Sequence, residues 1–300
     1  MIPYGRQEIT QEDIDSVVDV LKSDFLTQGP KVPEFEKSIQ EYCGVAHALA
    51  VNSATSALHI ACLALGVGPG DEVWTSPITY VASANCARFC GASVDFVDID
   101  RRTYNLSTDE LEGKLKQRKS SGGKLPSVVI PVHMAGQSCD MSAIQALADE
   151  YGFRVIEDAS HAIGGRYRDD PLGSCRYSDI TVFSFHPVKI VTTGEGGVAT
   201  TQDASLAEKM ALSRNHGITR DPTLMTCAAS GDWYYEQIEL GFNYRMTDLQ
   251  AALGCSQMRR IDKFISQRHR LAERYDAELA TLPVVLPSRE DISSSSLHLY

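Results

Sequence analysis

FRVIEDASHAIGG (153–165) and, a little further on, DITVFSFHPVKIVTTGEGGVATT (179–201) decide how this chain folds. FRVIED is an apolar run closing on two acids, and DITVFSF is a second run closing shortly before Lys189. Short runs rich in β-branched and aromatic residues read as strands covered on both faces. The pattern recurs outward: HALAVN (47–52), VWTSP (73–77), SVDFVDID (93–100) and SVVIPV (127–132) lie upstream, and GGVATT (196–201) lies downstream. Between them, SATSALHIACLALG (53–66), YVASANCARFCG (80–91), STDELEGKLKQRK (107–119) and MSAIQALADEYG (141–152) read as helices. Strands alternating with helices of this length predict an α/β chain built on a largely parallel sheet with helices on both faces.

The flanks read differently. QEDIDSVVDVLKSD (11–24) reads as an amphipathic helix after Thr10, with Asp13 complementing its first amides. FLTQGPKVPEF (25–35) is a loop, and a second helix is expected over roughly 33–43. Beyond residue 205, ASLAEKMALSRNHG (204–217) is helical and DPTLMTCAASGDWYY (221–235) irregular. The stretch 246–282 reads as a long helical run broken near Gly254. The chain closes on SSSSLHLY (293–300), which reads as an unstructured serine run, and the expectation is a truncated chain.

Composition narrows the function classes. Of 300 residues, 43% are hydrophobic and 22% charged, as in a folded protein rather than a disordered one. Residues 1–10 lack a basic region followed by an apolar one, and no stretch resembles a membrane span, so the expectation is a cytoplasmic protein. Net charge is −11, and residues 1–100 hold 5 basic against 14 acidic side chains, so no basic face is offered to nucleic acid. The 8 cysteines are scattered; only Cys86 and Cys90 are near neighbours, which is no zinc pattern, and buried reduced thiols are expected.

Four places carry chemistry. Lys189 follows a strand and precedes a Gly-rich turn, where a lysine can form a Schiff base with a carbonyl cofactor, although a plain surface lysine has the same spacing. Asp158 ends a strand, at the edge where open sheets bind ligands, and suits a carboxylate beside the ring nitrogen of pyridoxal phosphate; a helix cap for ASHAIGG reads equally well. NSATSALHI (52–60) puts Ser53, Thr55 and Ser56 where a strand turns into a helix, a place for a phosphate or simply a capped helix. Tyr80 stands after SPIT either as a ring that stacks on a flat heterocycle or as core. Neither a Gly-x-Gly-x-x-Gly fingerprint after the first strand nor a phosphate-loop Gly-Lys-Ser is present.

NSATSALH, TSPITYVASANC, DIDRRTYNL, VIEDASHAIGG, FSFHPVKIVTTGEGG and LGFNYRMTDLQAALG, in this order, resemble the DegT/DnrJ/EryC1/StrS family of sugar-nucleotide aminotransferases over the length of the chain. The resemblance implies a pyridoxal-phosphate enzyme of the aspartate-aminotransferase fold (fold type I). It implies an N-terminal arm over 1–14 and a large domain over 15–240, with a mostly parallel seven-stranded mixed sheet. Linking helices and the start of a small domain would fill 241–300, with LHLY beginning a small-domain strand. Carried over position by position, Lys189 binds the cofactor, Asp158 pairs with its ring nitrogen, and Tyr80 stacks on the ring. Ala54, Thr55 and Ser184 surround the phosphate, His161 lies nearby, and Asn243 reaches the cofactor of the neighbouring subunit in a homodimer. Ser53-Ala54-Thr55 stands where many relatives have Ser-Gly-Thr. His186 and Arg245 are expected substrate contacts.

Within the family, the opening IPYGRQEITQEDIDSVVDVLKSDFLTQGPKVPEFE and HPVKIVTTGEGG resemble the branch that aminates the C4 ketone of a UDP-sugar with L-glutamate in pseudaminic acid biosynthesis. Amination of another 3-keto or 4-keto nucleotide sugar is the alternative. Family members that are dehydratases carry histidine in place of the lysine, and a chain turned regulator would be marked by loss of Lys189 or Asp158; both residues are present.

Overall fold

The computed structural model describes residues 5–227 and 230–300. Residues 1–4 of the expected arm, and Ala228 and Ala229 within the expected irregular stretch, lie outside the described residues. In chain order the helices are α1 (Gln11–Leu21), α2 (Lys31–Cys43), α3 (Ala54–Ala64), α4 (Ala82–Phe89), α5 (Thr108–Ser120), α6 (Met141–Tyr151), α7 (Ala204–Arg214), α8 (Asp248–Met258) and α9 (Ile261–Leu279). The strands are β1 (His47–Val51), β2 (Glu72–Thr75), β3 (Ser93–Phe96), β4 (Val128–Ile130), β5 (Arg154–Asp158), β6 (Arg166–Tyr167), β7 (Asp170–Pro171), β8 (Ile180–Ser184), β9 (Gly197–Thr201), β10 (Ile218–Thr219), β11 (Glu236–Gln237) and β12 (Ser293–Ser294).

Seven strands form one sheet in the order β1-β9-β8-β5-β4-β2-β3. β9 is antiparallel to both its neighbours, and the remaining pairs are parallel, so the sheet is mixed by one reversed strand. Alternation along the strands feeds two cores. Ala48, Ala50, Val129 and Val155 pack on one face, and Leu49, Val51, Val128, Ile130 and Ile156 on the other, as the two-residue period of a strand requires. The register brings the ends that matter to one level: Val51 and Ser184 both pair with Gly197, and Asp158 pairs with Val182. The carboxyl ends of β1, β5 and β8 therefore open on the same edge, where open α/β sheets bind ligands.

Local chemistry sets the helix starts. The Thr10 N–H donates to Asp13 Oδ2 at 2.9 Å, and the Ser53, Ser107, Asp140 and Asp203 side chains each accept an N–H from the first turn of their helices. The boundaries differ from expectation in several places. α1 ends at Leu21 rather than 24, and α2 starts at Lys31 with Pro33 in its first turn, where proline has no bond to lose.

The long C-terminal run breaks at Arg259–Arg260, not at Gly254. Gly254 is interior to α8 because that helix packs on α2: a Cβ there would lie 2.6 Å from Phe35 Cε2. The serine run is not unstructured. Ser293 and Ser294 pair with Tyr167 and Arg166, Ser295 and Ser296 are buried, and LHLY forms no strand. All eight cysteines are free; Cys227 is exposed, against the expectation of burial. No helix among the described residues is long and apolar enough to cross a membrane.

Candidate active site

The carboxyl edge of the sheet opens into a cavity of about 940 Å³. Ala54, Thr55, Tyr80, Asp158, His161, Ser184, His186 and Lys189 all line it. They come from the start of α3, the turn before α4, the end of β5 and the end of β8 with its following loop. Arg245 and Asn243 do not line it. Arg245 borders a separate cavity of about 490 Å³ and donates to Asn215 Oδ1 at 2.7 Å, and Asn243 is exposed and bridges to Asn215.

At one wall, α3 begins with Ser53 as its cap, whose hydroxyl accepts the Ser56 N–H at 3.1 Å. The N–H groups of Ala54 and Thr55, first and second in the helix, have no acceptor within it and meet the positive end of the helix dipole. Gly197 makes the close approach possible, because a Cβ there would lie 2.5 Å from Ala54 N. Ser184 pairs with this same glycine. Capping and an anion cradle thus coexist at this turn.

Asp158 is 4% exposed, and its carboxylate accepts the Ser83 hydroxyl at 2.6 Å and the Ser160 N–H at 3.1 Å. The segment ASHAIGG after it is a series of turns, not a helix, so Asp158 caps no helix. Lys189 is half-buried, and its ammonium has no hydrogen-bond or salt-bridge partner among the described residues. Burial pushes the Lys189 pKa below that of an ordinary lysine, against the opposing pull of Asp158. Tyr80 is 74% exposed, which excludes a core role and leaves its ring free at the cavity wall.

His161 packs against His298 with ring centroids 4.4 Å apart and ring planes tilted by 39°. His161 Nδ1 and both ring nitrogens of His298 are buried without a partner. Burial pushes the His161 pKa down to about 4, with Lys189 adding to the effect and Asp158 opposing it. His298 is pushed down to about 2 by burial, then by His161, Lys189 and Arg268. His298, Ser83, Glu195 and Gln250 were not singled out from sequence; Gln250 donates to the Glu195 carbonyl at 2.8 Å on the cavity wall. Only LHLY, quoted above for its strand-like look, carried any hint of His298.

An anion cradle, an unpaired lysine, a carboxylate and an orphaned ring nitrogen share one cavity, and this donor set fits pyridoxal phosphate. The DegT/DnrJ/EryC1/StrS aminotransferase family model matches residues 7–300. The chain is 41% identical over 300 residues to the spore coat polysaccharide biosynthesis protein SpsC of Bacillus subtilis, covering all of this chain and 75% of that protein. It is 39% identical over 301 residues to the UDP-4-amino-4,6-dideoxy-N-acetyl-β-L-altrosamine transaminase of Campylobacter jejuni, covering all of this chain and 76% of that one. The PLP form of a Streptococcus pneumoniae protein assigned as a sugar aminotransferase superposes with TM-score 0.85 at 31% identity, covering all of this chain and 77% of that one.

The fold is that of the pyridoxal-phosphate-dependent aminotransferases. The chain belongs to the DegT/DnrJ/EryC1/StrS aminotransferase family, whose cofactor is pyridoxal phosphate.

Proposed function

We propose that this protein transfers the amino group of L-glutamate to the C4 ketone of UDP-2-acetamido-2,6-dideoxy-β-L-arabino-hex-4-ulose, the altrosamine transaminase reaction of pseudaminic acid biosynthesis. The observation that carries the aminotransfer is that Lys189 and Asp158 border one cavity walled by the free amides of α3. The Campylobacter relative supports the choice of sugar.

The residues divide the work. Lys189 is the covalent anchor of the cofactor, Asp158 holds its ring nitrogen, and Tyr80 covers the ring. Ala54, Thr55 and Ser184 hold the phosphate, and His161 lies beside them. When bound, pyridoxal phosphate supplies an electron sink for the pair left behind as a proton departs the carbon bearing nitrogen. Lys189, with its pKa lowered, reaches its neutral form more readily than a surface lysine; it takes that proton and returns it. The ionised Asp158 keeps a positive charge fixed opposite it.

His186 contacts the substrate from the rim. Asn243, exposed and outside its own cavity, reaches the cofactor of the partner in a homodimer, and Arg245 contacts the substrate. Residues 241–300 carry the helices that lead out of the large domain, and the protein works in the cytoplasm on small molecules, without nucleic acid.

A second reading keeps the chemistry and changes the sugar to another 3-keto or 4-keto nucleotide sugar. It is favoured by SpsC, at 41% identity, which is named for spore coat polysaccharide biosynthesis. Incubation with L-glutamate and the 4-keto UDP-sugar, followed by NMR of the product, separates the two. An amine at C4 together with released 2-oxoglutarate supports the first reading; no amination of this sugar beside amination of another hands the case to the second.

A further inference from the structure

Ser83 is fully buried in the first turn of α4, and its hydroxyl lies among three oxygens: Asp158 Oδ2 at 2.6 Å, Thr79 Oγ1 at 2.7 Å and the Tyr80 carbonyl at 3.2 Å. A hydroxyl has one proton to give, and an ionised carboxylate can only accept. The proton of the short contact therefore sits on Ser83 and points at Asp158. Ser83 then has only lone pairs left for Thr79, so the Thr79 hydroxyl donates to it. The Tyr80 carbonyl takes the Ser83 backbone N–H at 3.2 Å. Proton donation runs one way, from Thr79 on the cavity wall through Ser83 to Asp158.

We infer that Ser83 is a positioning residue for the amino transfer, with Thr79 orienting it: the relay fixes the Asp158 carboxylate and ties it to the turn that carries Tyr80. The inference rests on the reading of Asp158 as the partner of the cofactor ring nitrogen. Asp158 Oδ1 is already engaged by the Ser160 N–H, so Ser83 determines how the other oxygen is held. Without the Ser83 proton, a buried carboxylate oxygen lacks a charge-assisted hydrogen bond, and the carboxylate turns from its place. That change weakens the positive charge kept on the ring. A less positive ring withdraws fewer electrons from the lysine-bound nitrogen, so the pH midpoint of the visible band rises.

The test uses the cofactor-loaded protein and the variants Ser83→Ala and Thr79→Val. In Ser83→Ala the midpoint is expected to rise by about 0.5 pH unit or more, with kcat down about tenfold and KM for L-glutamate within about twofold. Thr79→Val, close in shape and leaving Ser83 on Asp158, is expected to move the midpoint the same way by less. A Ser83→Ala midpoint within about 0.2 unit of wild type overturns the inference even where activity or melting temperature falls, because packing alone does not move that titration. Should Ser83→Ala not fold, Thr79→Val decides alone, and an unmoved midpoint overturns the relay. A wild-type protein whose band is unaffected by Lys189→Ala fails earlier, at the reading of the site itself.

Discussion

His161 and His298 pack together at 4.4 Å between ring centroids, joining the turn after β5 to the segment that follows β12, and three of their four ring nitrogens are buried without a partner. Both rings are held neutral, His298 down to about 2 and His161 down to about 4, from an ordinary value of 6.5. Below pH 6.5 the unfolded chain binds protons that the folded one refuses. Stability is therefore full above that pH and falls as the solution is acidified, by at most about 1.4 kcal/mol per pH unit for each ring. Urea unfolding of the cofactor-free protein at pH 7.5 and pH 5 should show the lower midpoint at pH 5, and His298→Phe should flatten the difference. Equal midpoints in the wild type contradict this.

Lys189 places a half-buried ammonium in the cavity with no acceptor among the described residues. Lys189→Ala is expected to abolish turnover while leaving the melting temperature of the cofactor-free protein unchanged or slightly raised. Circular dichroism melts beside an activity assay check both halves, and a melting temperature several degrees lower would show that the lysine supports the fold.

Glu157 adjoins Asp158 on β5 but accepts from His133 Nε2 at 2.7 Å and from the Ser178 and Thr181 hydroxyls. Burial works to raise its pKa, yet His133 and the two hydroxyls together hold it below the ordinary carboxylate value. Glu157→Ala strips a buried imidazole of its partner and is expected to cost about 3–5 kcal/mol in urea unfolding, with Glu157→Gln losing less. A loss under about 1 kcal/mol would be the size of an exposed pair and would contradict a buried one.

Gly254 faces the fully buried Phe35, and a Cβ there would lie 2.6 Å from Phe35 Cε2 and 2.9 Å from Thr193 Cγ2. Gly254→Ala is expected to destabilise by about 1–3 kcal/mol through overpacking, even though alanine favours a helix by about 1 kcal/mol. A stabilised variant would show that α8 and α2 can part at little cost.

The parallel part of the sheet was legible because most of its strands are short apolar runs next to helices, and the cap at Thr10 announced its helix locally. Gly254 misled for a physical reason: a glycine inside a helical pattern signals either a break or a close approach, and only the contact with Phe35 tells which. The serine run misled likewise, since Ser293 and Ser294 gain their order by pairing with β6, more than a hundred residues away in sequence. Lys189, Asp158 and the α3 turn were readable from their places at strand ends. Ser83 and His298 were not, because what singles them out is a partner, or the lack of one, created by folding. Asn243 and Arg245 do not line the cavity that holds Lys189, and Arg245 borders a separate one.

The central claim is that Lys189 binds pyridoxal phosphate and that L-glutamate is the donor. The most direct measurement is the visible absorption spectrum of the purified protein supplied with pyridoxal phosphate, before and after L-glutamate, beside Lys189→Ala. A yellow band that glutamate bleaches, and that the variant does not form, is the expected result. A protein that stays colourless with the cofactor, or whose band glutamate leaves untouched, contradicts the account.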